Sequence, residues 1–147
     1  MDLDRIFEFL GNHWIMVGAT VVVAVLLAQD LIETLLRKHK LVTPSGAVAL
    51  MNGEETIVID VREPHEFSAG HIENARHIPL GKIDDRAYEL QESKTSPVIV
   101  ACQSGTRSPQ ACRKLAALGF TDVYELQGGM VAWEEAKLPI SRKRSKS

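Results

Sequence analysis

The feature that most constrains the fold is a succession of short apolar runs separated by helical signals, after residue 40. Runs rich in β-branched residues stand at Ile57–Val61 and Val98–Ala101, and further strands are predicted at Arg76–Ile78 and Val123–Leu126. Short apolar strands that alternate with helices are typical of a parallel sheet with helices on both faces. The sequence therefore predicts an α/β domain built on such a sheet.

The segments between these strands carry residues that begin and end helices. Thr43 and Pro44 form an N-cap and a first helical position, and Asn52-Gly53 ends the helix that they start. Glu63-Pro64 begins a short helix that Gly70 ends. Three further helices are predicted, over Asp84–Glu92, over Ser108–Leu118, and from Gly128-Gly129 through Trp133.

The loop Cys102–Arg107, which follows the strand Val98–Ala101, carries the chemistry. Ligands of parallel sheets bind beyond the carboxyl ends of the strands, which is where Cys102 falls. Ser108 is predicted to be the N-cap of the next helix, and Pro109 its first residue. A thiol at a helix N-terminus faces backbone N–H groups that lower its pKa, so that the nucleophilic thiolate forms near neutral pH.

Cys102 has a second interpretation, because free cysteines are mostly packed as small apolar residues. Three neighbouring features favour a nucleophile instead. Gly105 permits a positive φ and close approach of the backbone to a ligand. Arg107 offers a cationic fork to an anionic substrate, and Ser108-Pro109 starts a helix. We therefore interpret Cys102 as a catalytic nucleophile.

These residues and their surroundings resemble the rhodanese family of sulfurtransferases. The loop matches the single-domain form, in which four residues separate Cys102 from Arg107 and Gly105 has its usual place. An upstream and a closing signature match as well: Val58–Pro64, Glu66, Gly70-His71-Ile72, Ala75 and Ile78-Pro79-Leu80, then Leu118-Gly119-Phe120, Val123, Leu126–Gly129, Trp133 and Leu138-Pro139. The resemblance covers Val42 to Ile140.

The resemblance implies a rhodanese-like fold over residues 41–140, with a central parallel five-stranded sheet and helices on both faces. It implies that the Cys102 thiolate takes the outer sulfur of thiosulfate or a persulfide and passes it to cyanide, glutathione or a protein thiol. The intermediate is a Cys102 persulfide, which divides one transfer into two easier steps. Loop N–H groups would stabilise the anionic sulfur, and Arg107 would orient the donor. The expected substrate-binding loop is Gln103, Ser104, Gly105, Thr106, Arg107 and Ser108, with no cofactor and no metal.

Two details of the loop bear on the substrate. Many family members carry a basic residue directly after the cysteine, whereas this chain has Gln103. Because the loop then holds less positive charge, a dianionic donor should bind less well, and we expect a persulfide as the native donor. Related phosphatase and arsenate-reductase domains have five residues between cysteine and arginine, so the four residues here favour a smaller, sulfur-sized site.

Charged residues near the first strand are assigned supporting roles. Asp60 and Arg62 are expected to form an ion pair that braces the domain rather than to transfer protons. The partner of Arg107 stays open between Asp60 and Glu66.

The histidines and Cys112 receive structural interpretations. His65, His71 and His77 recur every six residues, which puts no pair on one helical face, so no metal site is expected. Cys112 has apolar helix neighbours, which favours core packing over a resolving thiol. Two cysteines without a Cys-x-x-Cys pair make no disulfide framework. The net charge of −2 gives no reason to expect nucleic-acid binding.

The N-terminal segment 1–40 is predicted to be a membrane anchor whose span covers about residues 10–32. Trp14–Ala28 is almost unbroken apolar sequence, and its apolar flanks lengthen it toward the roughly 20 residues that cross a bilayer. Trp14 stands at one edge, where interfacial aromatic residues belong. A buried core helix is disfavoured by the complete domain that follows. A cleaved signal peptide is disfavoured by the acidic start and the lack of a clean cleavage site.

Basic residues set the expected orientation of this single-pass anchor. Arg37-Lys38 and Lys40 follow the span whereas Arg5 precedes it, so the domain should face the cytoplasm from the inner membrane, where a thiol stays reduced. Small residues at four-residue spacing in the span permit weak self-association or contact with a membrane-protein partner; they are Thr20, Ala24 and Ala28. The basic tail 141–147 is expected to be disordered, with anionic lipid as an alternative contact.

Two functions follow from the sequence. The first is a membrane-anchored, cytoplasm-facing sulfurtransferase with Cys102 as nucleophile. The alternative is a membrane-tethered rhodanese-like module that recruits a protein partner without turnover. An intact Cys102 in a complete loop favours the enzyme, because a scaffold needs neither.

Overall fold

The chain folds as two compact units, Met1–Arg37 and Lys38–Ser147. The computed structural model describes residues 13–35, 39–53 and 55–142. Among the described residues, the first unit consists of one apolar helix. The second unit contains a sheet and the helices that cover it.

The described helix of the first unit, α1, spans Trp14–Leu35. Its segment Trp14–Ile32 is long and apolar enough to cross a membrane. At a rise of 1.5 Å per residue, these 19 residues extend about 28 Å, close to the hydrocarbon thickness of a bilayer. The hydroxyl of Thr20 donates to the carbonyl of Met16 at 2.9 Å, so this polar group is satisfied within the helix. The predicted span starts at residue 10, and residues 10–12 lie outside the described residues.

The second unit is built on a sheet of five parallel strands, as predicted. In chain order these are β1 (Lys40–Val42), β2 (Ile57–Asp60), β3 (Arg76–His77), β4 (Val98–Ala101) and β5 (Val123–Leu126). Their order across the sheet is β1-β5-β4-β2-β3, so β4 lies at the centre. The family resemblance implied a fifth strand without locating it, and the structure places it at β1, which pairs with β5.

Helices fill the connections between the strands, and a last helix follows β5. They are α2 (Pro44–Gly53), α3 (Pro64–Ala69), α4 (Ile83–Arg86), α5 (Ser108–Ala117) and α6 (Gly129–Glu135). The start of α2 is as predicted, because Thr43 Oγ1 accepts the N–H of Gly46 at 3.2 Å.

The predicted helix Asp84–Glu92 is confirmed in position, but most of it is not α-helical. The α-helical turns stop at Arg86, and residues 87–93 continue as a 3₁₀ helix. Side chains three residues apart eclipse each other in a 3₁₀ helix. This geometry directs both Ala87 and Leu90 toward the core, where each is buried.

The sheet separates two hydrophobic clusters. Along β4, Val98 and Val100 belong to one cluster, together with residues of α4 and α5, whereas Ile99 and Ala101 belong to the other, together with residues of α2, α3 and α6. Every residue of β4 is buried, as expected for a strand covered on both faces. Cys102 continues the alternation and joins the cluster on the α5 side.

The C-terminal part of the described chain returns to the end of α3. Ser141 pairs with His71 in an antiparallel bridge with N–H···O distances of 2.9 and 2.7 Å. The Arg142 Nε donates to the carbonyl of Ala69 at 3.2 Å. Residues 141 and 142 of the predicted tail therefore contact the domain, and residues 143–147 lie outside the described residues.

Candidate active site

Cys102 lies directly after β4, at the carboxyl edge of the sheet, and is fully buried. The N–H of Gly105 donates to its Sγ at 3.0 Å. The hydroxyl oxygen of Ser108 lies 3.4 Å from the same sulfur. Gly105 has a φ of +91°, a conformation that glycine adopts without strain, and this lets the loop fold back over the sulfur.

The surroundings of the Cys102 thiol change its pKa in two opposing directions. Burial raises the pKa, because the thiolate loses its solvation. The hydrogen bond between Cys102 and the Ser108 side chain, together with those from the N–H groups of Arg107, Ser108 and Gly105, lowers it by more, so the pKa lies below its ordinary value. The predicted loop therefore stabilises the thiolate through backbone N–H groups at positions 105, 107 and 108.

The start of α5 differs from the prediction that Ser108 is the N-cap. Arg107 is the N-cap, with φ −93° and ψ −30°, and Ser108 is the first helical residue. The Ser108 side chain makes no capping bond; its hydroxyl contacts Cys102 Sγ and donates to Glu125 Oε1 at 3.2 Å. Ser108 is fully buried, and a hydrogen bond to a buried carboxylate is stronger than one to a backbone N–H.

The first residues of α6 hold the Cys102 loop in place. The N–H of Met130 donates to the carbonyl of Cys102 at 2.8 Å, and the N–H of Val131 donates to the carbonyl of Gln103 at 3.0 Å. Helix-terminal N–H groups have no partner within their own helix, so these carbonyls satisfy them. The approach is close because Gly129 has no side chain: a Cβ there would lie 2.8 Å from the carbonyl oxygen of Gln103.

Glu66 is the partner of Arg107. The two terminal nitrogens of the guanidinium donate to the two carboxylate oxygens, each at 2.7 Å. Glu66 also accepts the N–H of Glu63 at 2.9 Å, as part of the capping box of α3. The hydrogen bonds from Arg107 are the main reason that the pKa of Glu66 falls to about 2. The guanidinium fork that the sequence assigned to the sulfur donor is thus already paired within the protein.

Asp60 and Arg62 form the expected ion pair, and Arg62 extends to the loop. Arg62 Nη2 lies 2.7 Å from Asp60 Oδ2, and both side chains are buried. Arg62 Nη1 donates to Gln103 Oε1 at 3.0 Å, and Nη2 donates to the carbonyl of Gly70 at 2.7 Å. One guanidinium therefore joins the end of β2, the end of α3 and the residue that follows the cysteine.

Comparison with known proteins agrees with this geometry. A family-wide profile described as "Rhodanese-like domain" matches residues 43–136. The chain belongs to this family. The uncharacterized protein YibN of Escherichia coli K12 is 30% identical over 141 residues, which cover 95% of this chain and 99% of YibN. This match covers nearly the whole chain and therefore includes α1.

Relatives of the rhodanese domain include named sulfurtransferases. The thiosulfate sulfurtransferase GlpE of Pseudomonas putida is 34% identical over 96 residues, which cover 65% of this chain and 86% of GlpE. The crystal structure of a rhodanese-related protein from Thermoplasma volcanium superposes with a TM-score of 0.65 at 26% identity, over 71% of this chain and 100% of that one. The second unit therefore has the rhodanese fold.

The other residues of the rhodanese loop lie toward the surface. Ser104 and Thr106 are exposed, and Gln103 is half-buried. A groove of mixed charge runs beside Gln103; its lining residues are Arg62, His65, Glu66, Ala69, Gly70, Gln103 and Glu134. Because Cys102 is buried, a reactant that reached its sulfur would have to pass this outer layer of the loop.

Two histidines of the first signature have structural partners. His71 Nδ1 lies 2.8 Å from the carbonyl of Phe67, and its ring stacks on the Phe67 ring with centroids 3.8 Å apart. His77 Nε2 lies 2.8 Å from the carbonyl of Arg62. In the part of the chain that the structure describes, no group of three or more His, Cys, Asp or Glu side chains is arranged to hold a metal ion.

Cys112 lies in the core on α5 and is fully buried. Burial, and next the charge of Glu125, raise the pKa of this thiol far above its ordinary range. Its environment is therefore opposite in effect to that of Cys102, although the two sulfurs belong to the same hydrophobic cluster. The arrangement is that of a packed core cysteine.

Sequence reasoning missed two buried polar residues next to the loop. Glu125 lies on β5 with 5% of its surface exposed, and it contacts both Ser108 and His39. Its signal in the sequence is a carboxylate inside the predicted strand Val123–Leu126, because charged side chains are seldom buried unless they are paired. His39 has no comparable signal, since it precedes the short strand β1.

Proposed function

We propose that this rhodanese is a sulfurtransferase in which Cys102 carries a sulfane sulfur as a persulfide. The observation that carries the proposal is the position of Cys102 Sγ, at the carboxyl end of β4 with the N–H of Gly105 at 3.0 Å and the thiol pKa below its ordinary value. The names of relatives such as GlpE support the same reaction class.

The reaction divides into two displacements at sulfur. The Cys102 thiolate attacks the outer sulfur of the donor, the donor's S–S bond breaks, and the rest of the donor leaves as a thiolate or as sulfite. An acceptor thiolate or cyanide then attacks the outer sulfur of the Cys102 persulfide, and Cys102 leaves as a thiolate. Loop N–H groups stabilise the anionic sulfur of Cys102 before the first step and after the second.

The charges around the loop favour a persulfide over thiosulfate as donor. The guanidinium of Arg107 is paired with Glu66, and that of Arg62 is paired with Asp60. The buried Glu125 adds a further carboxylate behind Cys102. Little positive charge is therefore left to attract a dianion such as thiosulfate. A persulfide of low charge depends less on positive charge for its binding.

Intact-mass spectrometry of the full-length protein in detergent tests the reaction. The protein is incubated with thiosulfate or, separately, with glutathione persulfide. We expect a gain of one sulfur, about 32 Da, with the persulfide; it should be lost on addition of cyanide and absent in Cys102→Ser. Cys112→Ser is the matched control and should gain the sulfur normally. No adduct from either donor, with the Cys102 thiol shown to be reduced, would contradict the proposal.

One observation favours the alternative of a recruitment module without turnover: Cys102 is fully buried. A module of this kind would keep its cellular phenotype in Cys102→Ser, because recruitment uses the surface and not the thiol. The sulfurtransferase would lose phenotype and sulfur transfer together. The two functions are thus separated by one variant.

We propose that α1 anchors the protein in the inner membrane with the rhodanese domain on the cytoplasmic side. The length and apolar character of Trp14–Ile32 support the anchor, and the basic residues that follow it support the orientation. In Tyr88→Cys made in a Cys102→Ser background, the new thiol replaces a side chain that is 67% exposed. In intact spheroplasts a membrane-impermeant maleimide should not label this variant, whereas lysis should allow labelling. Labelling before lysis would show that the domain faces the opposite side of the membrane.

A further inference from the structure

A groove of about 320 Å³ opens beside Gln103, the residue that follows Cys102 in the loop. Three parts of the fold form its other walls: the segment after β2 with Arg62, helix α3 with His65, and helix α6 with Glu134. This volume is at the lower end of the range for small-molecule sites. The groove therefore has the position and the size to hold the thiol part of a small sulfur carrier.

The amide of Gln103 has a fixed direction at one end of this groove. Arg62 Nη1 lies 3.0 Å from Gln103 Oε1, and a guanidinium donates hydrogen bonds but accepts none. The amide oxygen is therefore the atom that faces Arg62, and the NH₂ group lies at the other end of the amide. Position 103 thus offers a neutral hydrogen-bond donor and no positive charge.

Both guanidinium groups close to the groove are paired with carboxylates. Arg62 Nε lies 3.0 and 3.1 Å from the two carboxylate oxygens of Asp60, and both side chains are buried. Arg107 donates to both carboxylate oxygens of Glu66, which itself lines the groove. Each pair has no net charge. Neither arginine therefore gives the groove a positive potential.

Glu134 gives the groove a negative charge. It is exposed on α6, and in the part of the chain that the structure describes no cation pairs with its carboxylate. A glutamate in contact with water is ionised at neutral pH, and an unbalanced charge beside a concave surface attracts ions of the opposite sign. The charge of Glu63 also acts on Arg107, so a further carboxylate lies near this edge of the site. His65 is the other titratable group of the lining outside the two ion pairs.

We propose that Glu134 is a specificity-determining residue of the Cys102 site and that the groove receives the cationic group of a small thiol carrier. The substrate class is a low-mass persulfide with an ammonium group close to its sulfur, such as the persulfide of an amino thiol. The Cys102 thiolate attacks the outer sulfur, the S–S bond of the carrier breaks, and the amino thiol leaves as a thiolate. This inference rests on the proposed function, in which Cys102 accepts a sulfane sulfur.

Two methanethiosulfonate reagents of opposite charge measure the potential along this route without any sulfur donor. One carries a 2-(trimethylammonio)ethyl group and the other a 2-sulfonatoethyl group. The Cys102 thiolate attacks the sulfur that bears this group, the S–S bond of the reagent breaks, and methanesulfinate leaves. The two rate constants are read by intact mass on the full-length protein in a non-ionic detergent. A Cys112→Ser background leaves Cys102 as the reacting thiol.

Glu134→Gln should lower the ratio of the cationic to the anionic rate constant by about three- to fivefold, because loss of one negative charge slows the cation and speeds the anion. Glu135→Gln is the matched control: it is the next residue of α6 and exposed, but it does not line the groove. It should change the ratio by less than about 1.5-fold. At about 1 M salt the Debye length is about 3 Å, so the effect of Glu134→Gln should disappear.

Three outcomes of this comparison would overturn the proposal. The first is the same ratio in the native protein and in Glu134→Gln, and the second is an equal shift from Glu134→Gln and Glu135→Gln. The third is failure of both reagents to modify Cys102 in the folded protein, because the groove would then not lead to the sulfur. The effect of Glu134→Gln should also persist in a His65→Gln background; its loss there would assign the potential to the imidazole and overturn the proposal.

Sulfur transfer itself is compared with two persulfides that differ in charge, those of cysteamine and of 3-mercaptopropionate. The native protein should gain its sulfur at least about threefold faster from cysteamine persulfide, and Glu134→Gln should lose most of this preference. A preference that is unchanged in Glu134→Gln, or that favours 3-mercaptopropionate persulfide in the native protein, would overturn the proposal. Transfer from neither persulfide would contradict the proposed function instead, and the methanethiosulfonate ratio would still decide whether Glu134 sets the charge of the groove.

Discussion

Arg107 and Glu66 are joined by two N–H···O bonds of 2.7 Å although they lie 41 positions apart in the chain. The pair connects the C-terminal end of the Cys102 loop to α3. Planar two-point pairing of this kind is stronger and more directional than a single contact. The guanidinium is thus held in a fixed orientation, and its charge is largely balanced by Glu66.

The Arg107–Glu66 pair makes stability depend on acidic pH. Because the folded pKa of Glu66 is about 2 against 4.5 for the ordinary carboxyl, its contribution is complete above 4.5 and is lost as the pH falls through 2. With allowance for solvent screening of a partly exposed pair, the free energy of unfolding should fall by about 1–2 kcal/mol over this range. Glu66→Gln should remove that part of the pH dependence.

Urea unfolding at pH 2 to 7 checks this prediction, with Trp133 fluorescence as the probe in a Trp14→Phe background. The exposed Glu92→Gln serves as the control and should leave the pH dependence unchanged. Identical pH profiles for the native protein and Glu66→Gln would show that the pair contributes nothing to stability.

Gly129→Ala should disrupt the contact between the start of α6 and the Cys102 loop. The added Cβ would lie 2.8 Å from the Gln103 carbonyl oxygen, and the residue has a φ of +59°. Backbone strain and the clash together should lower the free energy of unfolding by about 3 kcal/mol or more. Gly81→Ala is the matched control, because nothing lies within 4 Å of its added Cβ; it should change stability by less than about 0.5 kcal/mol. Equal melting temperatures for the two variants would contradict the predicted clash.

Arg62→Lys tests the guanidinium that links β2, α3 and the loop. Lysine keeps the charge but cannot bond Asp60, Gly70 and Gln103 together, so buried acceptors lose their donors. We expect a loss of about 2–4 kcal/mol in the free energy of unfolding. Arg86→Lys, at a partly exposed ion pair with Glu89 and one hydrogen bond to the His77 carbonyl, should cost less, about 1 kcal/mol. Chemical denaturation of both variants gives the comparison, and a similar loss from each would argue against a special role for Arg62.

The two cysteines should differ sharply in reactivity. Hydrogen bonds that outweigh burial lower the pKa of Cys102, whereas burial raises that of Cys112. Iodoacetamide at pH 7 should therefore add one label to the native protein and two after denaturation. Native Cys102→Ser should take up none, and native Cys112→Ser should take up one. A label on native Cys112 would show that this thiol is accessible.

Local patterns in the sequence were sufficient for much of the fold. The β-branched runs at β2 and β4 locate the centre of the sheet, and the order strand, Cys102, Gly105, helix start identifies the candidate site. These signals act over a few consecutive residues, so they can be read without knowing the neighbours. β1 was not located because three residues make no pattern of their own, and its identity comes from pairing with β5.

The contacts around the sulfur depend on which segments become neighbours in space. Glu66 meets Arg107 across 41 positions, Glu125 meets Ser108 across 17, and His39 meets Glu125 across 86. The sequence predicted Ser108 as a helix cap because capping is a local preference. In the structure its hydroxyl bonds instead to Cys102, which follows β4, and to Glu125 on β5. Sequence patterns thus specify the candidate nucleophile, Cys102, and the strand that carries it. The pairing of buried charges, and with it the hydrogen bonds around the Cys102 sulfur, follows from the packing of β4, β5 and α5, because a buried polar atom must bond to whichever partner the fold brings within reach.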